Sequence, residues 1–152
     1  MISADFKGKC VLVTGAVSGI GLATAQIFSD NGATVAVNHL PDDPSAETVI
    51  ETLRANGSDV ISAPGDVSIP GEAENMVTTA AAALGRLDVL VNNAGTYIDK
   101  PFLEMDLDTF DYTMRLNVYA YYFLTQRFAR HWVENQVAGR VLLIGSINGR
   151  MA

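Results

Sequence analysis

The chain has 152 residues, a mass of 16.2 kDa and a formal net charge of −7. Its 49% hydrophobic and 18% charged content excludes a disordered chain, and its 17 acidic against 10 basic residues argue against a nucleic-acid partner. With one cysteine (Cys10), no long apolar run, no leader-like start and no metal-ligand spacing, we expect a cytoplasmic domain with no membrane partner and no metal site.

Five short runs rich in Val, Leu and Ile predict β-strands. The runs are nearly continuous rather than alternating, which is typical of strands buried on both faces of a parallel sheet. In chain order they are Cys10–Val13, Thr34–Asn38, Asp59–Ala63, Leu87–Asn92 and Arg140–Ile144.

Helical stretches separate these strands, and glycine or asparagine follows most of them as a stop signal. The predicted helices are Gly19–Asn31, Pro44–Ala55, Pro70–Leu84 and Asp106–Asn135, the last with Asp106 or Asp108 as its cap. This alternation predicts one α/β domain over residues 1–152, a doubly wound parallel sheet with strand order 3-2-1-4-5. Its ligand site is expected where the first and fourth strands end.

The segment from Thr14 to Gly21, TGAVSGIG, links the first strand to the first helix. Its glycines permit a tight turn and a close approach to a pyrophosphate, and the helix N-terminus supplies free N–H groups. It lacks the Gly-Lys-Ser/Thr ending of nucleoside triphosphatases. An ordinary glycine-rich turn is the alternative, but the strand-to-helix context favours a dinucleotide site.

Two further polar turns end neighbouring strands. Asn92-Asn93-Ala94-Gly95 closes the fourth strand, and its small residues would let a ribose or a flat ring approach the backbone. Asp66, after the third strand, could accept a hydrogen bond from an adenine amino group. Taken alone, each segment is more simply explained as a turn or a helix cap.

Asn117 and Ser146 stand out for different reasons. Asparagine is a poor residue for a helix interior, so Asn117 either faces solvent or has a task. Ser146 follows the fifth strand, which would place its hydroxyl at the same sheet edge as the glycine loop, although a plain turn serine is the alternative.

Together these segments resemble the N-terminal part of the short-chain dehydrogenase/reductase family. They come in that family's order, with its approximate spacing, over essentially all of the 152 residues. Each motif is modest alone, but the combination is specific. The likeness rests on the Thr14–Gly21 loop, Asp66-Val67, Asn92 to Gly95, Asn117 and Ser146.

The resemblance implies a Rossmann fold and a role for each matched residue. Those implied against the pyrophosphate are Gly15, Ser18, Gly19, Ile20 and Gly21; against the adenine, Asp66 and Val67; and towards the ribose and nicotinamide, Asn93, Ala94 and Gly95. Ser146 would orient the substrate, and Asn117 would hold a water in a proton relay through its backbone. The implied activity is hydride transfer between NAD or NADP and a small alcohol or carbonyl compound, by a homo-oligomer.

The family's acid–base pair, a tyrosine followed four residues later by a lysine, has no match. All five tyrosines precede Ser146, and none has a lysine four positions later. We therefore expect the 152 residues to be part of a longer enzyme and to be inactive alone. The alternatives are a non-catalytic dinucleotide-binding short form and one half of a split enzyme, and the sequence after Ala152 would distinguish them.

Cofactor choice depends on the end of the second strand, where an acidic residue selects NAD and a basic one favours NADP. Here Asn38 and His39 occupy that end, and both are expected beside the adenosine ribose, although a solvated loop is the alternative for His39. Asp42 and Asp43 follow, and would disfavour a 2′-phosphate if they turned inward. These residues favour NAD over NADP.

Overall fold

The structure of the chain is a computed structural model that describes residues 5–146. The strands are β1 (Cys10–Val13), β2 (Thr34–His39), β3 (Val60–Pro64), β4 (Val89–Asn92) and β5 (Arg140–Leu143). The helices are α1 (Gly19–Asp30), α2 (Ala46–Ala55), α3 (Pro70–Leu84), α4 (Leu107–Met114) and α5 (Ala120–Asn135), with a short 3-10 turn at Phe102–Glu104. Strand and helix bounds lie within two residues of those predicted, except in the last helix.

All five strands form one parallel sheet in the order β3-β2-β1-β4-β5, as predicted. In register, Val11 of β1 pairs with Val35 of β2 and with Val89 of β4. The chain leaves β1 towards β2 and later returns on the other side of β1 as β4, so the loops after these two strands diverge at the switch point. A doubly wound sheet places its ligand there.

Alternate residues of the central strands build two cores, one on each face of the sheet. On one face Val11, Val35 and Val91 pack with α1 and α2. On the other face Leu12 and Leu90 pack with α3 and α5, around the fully buried Phe128. Both faces are covered, which explains why the strands read as continuous apolar runs.

The expectation of one unbroken helix over residues 106–135 is wrong. A π-helical segment, Arg115–Tyr119, separates α4 from α5 and carries Asn117. The Asn117 side chain makes two bonds to the backbone of one residue: its Oδ1 accepts from Thr96 N at 2.9 Å and its Nδ2 donates to Thr96 O at 2.7 Å. The start of α4 is as expected, since Asp106 accepts from Thr109 N at 2.8 Å.

The outer side of β5 and the aromatic surface of α5 are exposed in the described part of the chain. Leu143 is 62% exposed and Tyr122 is 64% exposed. An apolar edge strand of this kind is open to pairing with a further strand. No helix within residues 5–146 is long and apolar enough to cross a membrane.

The amino end of the sheet is closed by buried polar contacts. Asp88 is 3% exposed; its carboxylate accepts from Cys10 N at 3.0 Å and pairs with Arg86 and Lys9. Although burial raises it, hydrogen bonds from Arg86 and from Cys10 N, with the nearby positive charges, bring the pKa of Asp88 below its ordinary value. Cys10 is a core residue, and burial followed by the charge of Asp88 raises the pKa of its thiol.

Trp132 of α5 also belongs to this closed end. Its indole Nε1 donates to Leu87 O at 2.8 Å and its ring stands edge-on to Phe128. Gly139 lies under that ring, where an added Cβ would come 2.0 Å from Trp132 Cε2. The bond to Leu87 crosses a separation of 45 residues, which sequence periodicity does not detect.

Candidate active site

The glycine loop between β1 and α1 requires glycine at three positions. Gly15 and Gly19 have φ angles of +58° and +52°, in the left-handed region that disfavours a side chain. Gly21 is needed for space instead, because an added Cβ would lie 2.2 Å from Gly15 O and 2.6 Å from Asn93 Nδ2. The loop therefore turns tightly and packs directly on the Asn93 amide.

The N-terminus of α1 is suited to an anion. Ser18 at the N-cap has an extended backbone and makes no side-chain capping bond, and the first turn carries no acidic residue. The backbone N–H groups of that turn and the positive end of the helix dipole remain available to a phosphate. Ile20 is 63% exposed, so this end of the helix is accessible from solvent.

Thr14 joins the glycine loop to the end of β4. Its Oγ1 accepts from Asn93 N at 2.8 Å and from Ala94 N at 2.9 Å. The Asn93 Nδ2 donates back to Thr14 O at 2.9 Å. Thr14 begins the loop on which the family resemblance rests, but it was not predicted as a site residue itself.

Asn38 and His39 lie at the end of β2, both buried, with 2% and 9% of their surface exposed. The Asn38 Oδ1 accepts from Gly15 N at 3.1 Å, while its Nδ2 donates to backbone carbonyls across β3. The His39 Nδ1 donates to Leu40 O at 2.7 Å, and its Nε2 lies 2.8 Å from Ser62 Oγ. His39 is therefore not a solvated loop histidine.

The turn after β3 brings Asp66 and Val67 to the same edge. Asp66 Oδ1 accepts from Ser68 N at 2.8 Å, and Glu72 accepts from Asp66 N at 2.8 Å. These bonds give Asp66 a turn-forming role as well as a place in the site. Val67 is 6% exposed and packs into the core on the α3 face.

Asn117 supports the loop after β4 from below. Its two bonds to Thr96 hold that loop, and an added Cβ on Gly95 would lie 3.1 Å from Asn117 Oδ1. The amide oxygen and the amide nitrogen of Asn117 each make one bond to the protein. π-helical turns are frequent at functional sites.

Ser146 lies beyond β5 and is exposed. Tyr121, which the sequence did not point to, braces the same segment, because its hydroxyl donates to Ile144 O at 3.2 Å. Burial raises the pKa of the Tyr121 phenol. Tyr121 thus stands beside the predicted catalytic serine but has no lysine four residues later.

These residues surround two cavities at the carboxyl edge of the sheet, of about 430 Å³ and about 700 Å³. Of the residues predicted to bind cofactor, all but Gly21 line the first, where Leu40, Gly65, Thr96, Tyr112 and Leu116 join them. The second contains both Asn117 and Ser146, with Tyr97 and Tyr121. Ile20, Asn93, Gly95 and Thr96 line both cavities.

A model of the short chain dehydrogenase family matches residues 9–152. Among curated relatives, an L-rhamnose 1-dehydrogenase (NADP(+)) of Thermoplasma acidophilum is 35% identical over 147 residues, 97% of this chain and 58% of the relative. An L-rhamnose 1-dehydrogenase (NAD(P)(+)) of Sphingomonas sp. is 36% identical, over 93% of this chain and 56% of the relative.

The fold gives the same result. The crystal structure of a short chain dehydrogenase from Burkholderia cenocepacia in complex with NADP superposes with a TM-score of 0.84 at 34% identity. That likeness covers 94% of this chain and 57% of the other. The chain thus spans a little over half the length of the relatives it matches.

Proposed function

The chain belongs to the short-chain dehydrogenase family, and from this premise we propose that it is the dinucleotide-binding part of an oxidoreductase. The reaction proposed is hydride transfer between NAD or NADP and an alcohol or carbonyl carbon. One observation carries the proposal: the glycine loop, Asn93, Asn117 and Ser146 meet at one sheet edge around two cavities that share lining residues.

The residues present fit a dinucleotide. The uncapped N-terminus of α1 offers backbone N–H groups to the pyrophosphate, and the open space at Gly19 lets a phosphate approach, with no atom within 4 Å of an added Cβ. The first cavity would hold the adenosine half, beside Asp66 and Val67. The nicotinamide half would reach past Asn93 and Gly95 into the second cavity.

When bound, the nicotinamide ring would supply or accept the hydride at its C4 atom. We propose that the Ser146 hydroxyl donates a hydrogen bond to the reacting oxygen and that the π-helical turn at Asn117 positions a proton-relay water by its backbone. The 152 residues contain no tyrosine with a lysine four positions later, so the proton donor of the family pattern is absent from them. We expect the isolated 152-residue chain to bind a dinucleotide without turnover.

The cofactor proposed is NAD rather than NADP. A 2′-phosphate requires a cationic partner, and the residues lining the first cavity include no lysine or arginine within the described part of the chain. Asp43 does not contribute, because its carboxylate accepts from Ser45 N and Ser45 Oγ and lies in a neighbouring cavity. The Thermoplasma relative is named for NADP, which makes a direct comparison of the two cofactors necessary.

The substrate class proposed is an aldose, oxidised at its C1 hydroxyl. The support is the pair of relatives named as L-rhamnose 1-dehydrogenases. A homo-oligomer is proposed for the whole protein, since apolar side chains of α5 such as Tyr122 are exposed. Light scattering of the whole protein would test the assembly, and a monomer would contradict it.

The experiment that tests the proposed function uses the whole protein. NADH and NADPH binding is measured by the fluorescence of the reduced ring, and turnover is measured with a set of aldoses. Ser146→Ala should lower kcat about 100-fold with the cofactor Kd within about twofold. Thr79→Ala, at an exposed position of α3, is the matched control and should leave both unchanged. Absence of saturable binding of either cofactor would contradict the proposal.

A further inference from the structure

The Asn38 amide connects the two loops that would hold the adenosine diphosphate half of a dinucleotide. On one side its Oδ1 accepts from Gly15 N at 3.1 Å, in the glycine loop. On the other side its Nδ2 donates to Ala63 O at 3.0 Å and to Gly65 O at 2.9 Å, where β3 ends. A single planar group, with an acceptor oxygen and two donor hydrogens on its nitrogen, therefore spans both loops.

Backbone bonds from the same strand end run in parallel with this amide. Ala16 N donates to Asn38 O at 2.8 Å, and Gly65 N donates to His39 O at 2.9 Å. With 2% of its surface exposed, Asn38 has little contact with solvent. Breaking its bonds would leave buried backbone groups unsatisfied, which the loops would relieve by moving apart.

We propose that Asn38 is a positioning residue, which makes no contact of its own with the ribose. It sets the distance between the glycine loop, which would hold the pyrophosphate, and the turn after β3 with Asp66 and Val67, the adenine loop. This inference rests on the proposed function, because it concerns the same cavity. It changes the expectation for cofactor choice as well. An acidic residue at this position would not be available to the ribose 2′-hydroxyl.

Aspartate at position 38 distinguishes a positioning residue from a residue that binds the ribose directly, because it has nearly the same shape as asparagine. The Asn38→Asp carboxylate could still accept from Gly15 N, but it would face Ala63 O and Gly65 O with no hydrogen to donate. Oxygen would then oppose oxygen in a buried site, and the adenine loop would be released. A residue that bound the ribose directly would show the reverse, since aspartate strengthens the bond to a 2′-hydroxyl.

The matched control lies at the other end of the same strand. The Thr34 hydroxyl donates to Asp59 Oδ2 at 2.5 Å, so it also ties β2 to the β3 side of the sheet, but far from both cavities. Thr34→Val removes that bond and leaves the glycine loop and the adenine loop unchanged. It measures what a general weakening of β2 does to cofactor binding.

The experiment measures the Kd of NADH, NADPH and adenosine for the whole wild-type protein and for the three variants Asn38→Asp, Asn38→Ser and Thr34→Val. Asn38→Asp should weaken NADH and NADPH equally, by about tenfold, because both ligands occupy both loops. Adenosine would contact only the adenine loop and can move with it, so its affinity should fall less than about threefold. Thr34→Val should bind all three ligands as the wild type does. Serine is too short to span both loops, so Asn38→Ser should show the same losses of affinity as those expected for Asn38→Asp. It replaces Asn38→Asp in the comparison if the aspartate variant fails to fold.

Three results would overturn the inference. These are an unchanged NADH affinity in both Asn38 variants, an Asn38→Asp preference for NADH that rises at least about tenfold over NADPH, and equal losses for adenosine and NADH. Amide hydrogen exchange at Gly65 in the ligand-free protein separates this inference from the proposed function, because Gly65 lies in the loop that Asn38→Asp would release. Exchange should accelerate in Asn38→Asp but not in Thr34→Val. An unchanged exchange rate in Asn38→Asp would also refute the positioning role of Asn38. A wild type that binds neither dinucleotide would instead refute the proposed function.

Discussion

The two ends of the parallel sheet use buried polar groups in different ways. At the amino end, the Asp88 carboxylate and the Trp132 indole bond to the protein and close the sheet. At the carboxyl end, Thr14 and Asn38 bond to the backbone of the loops, and the loops in turn surround two cavities. The first end gains stability from its polar contacts, and the second uses them to hold an open shape.

Glycine residues also have different roles at the two ends of the sheet. Gly139 at the amino end makes room for a protein side chain, Trp132, whereas Gly21 at the carboxyl end lets the loop pack on Asn93. If the two ends differ as described, substitutions at the first should change the free energy of unfolding and leave the cofactor Kd unchanged. Substitutions at the second should change the Kd more than the stability.

The largest effect is expected for Gly139→Ala. Its Cβ would lie 2.0 Å from a ring atom of Trp132, and the ring is held by Leu87 O and Phe128, so the clash has no easy relief. Unfolding by denaturant should show a loss of about 3 kcal/mol. The Kd of NADH for the folded protein should stay within about twofold of wild type. A large loss of NADH affinity with wild-type stability would contradict the proposed difference between the two ends of the sheet.

Gly21→Ala should have the next largest effect, and on binding. The added Cβ would lie 2.2 Å from Gly15 O, which forces the glycine loop away from Asn93. We expect NADH affinity to fall about 30-fold, measured by fluorescence titration, with a stability loss of about 1 kcal/mol. Wild-type affinity in this variant would show that the loop does not hold the cofactor.

Asp88→Asn tests the amino end through its charge. The folded-state pKa of Asp88 lies below its unfolded value, so its contribution is present above about pH 4 and is lost as pH falls through the folded pKa. The variant should lose about 1 to 2 kcal/mol at pH 7. Its stability should also fall less on acidification than that of the wild type, followed by denaturant unfolding from pH 7 to pH 3. Asp111→Asn, at an exposed position of α4, is the control, and equal acid sensitivity in the Asp88 variant and the wild type would contradict the assignment.

Gly71→Ala should have the smallest effect and serves as the control for both glycine variants. Gly71 lies in the first turn of α3, and no atom comes within 4 Å of an added Cβ. Alanine loses less conformational entropy than glycine in a helix, so stability should rise by about 0.5 kcal/mol. A destabilised Gly71→Ala would mean that steric contact does not explain the other two results.

Much of the molecule could be predicted from the sequence. Apolar runs and glycine stops predicted the alternation of strands and helices, and the doubly wound topology that follows from this alternation predicted the strand order, which the structure confirms. The same pattern placed the glycine loop, Asn93 and Ser146 at one sheet edge, and the family resemblance added Asn117; the structure puts them around neighbouring cavities. Their roles in binding and catalysis remain predictions.

What the sequence determined by itself is therefore the order of the elements and the loops that end together, because hydrophobic periodicity and glycine act over a few neighbouring residues. The tertiary structure alone decided what each polar side chain does. Asn38 connects two loops, Asn117 bonds to the loop at Thr96, and Trp132 closes the opposite end of the sheet. Their partners lie 21 to 45 residues away along the chain, a separation across which no local pattern pairs a donor with its acceptor.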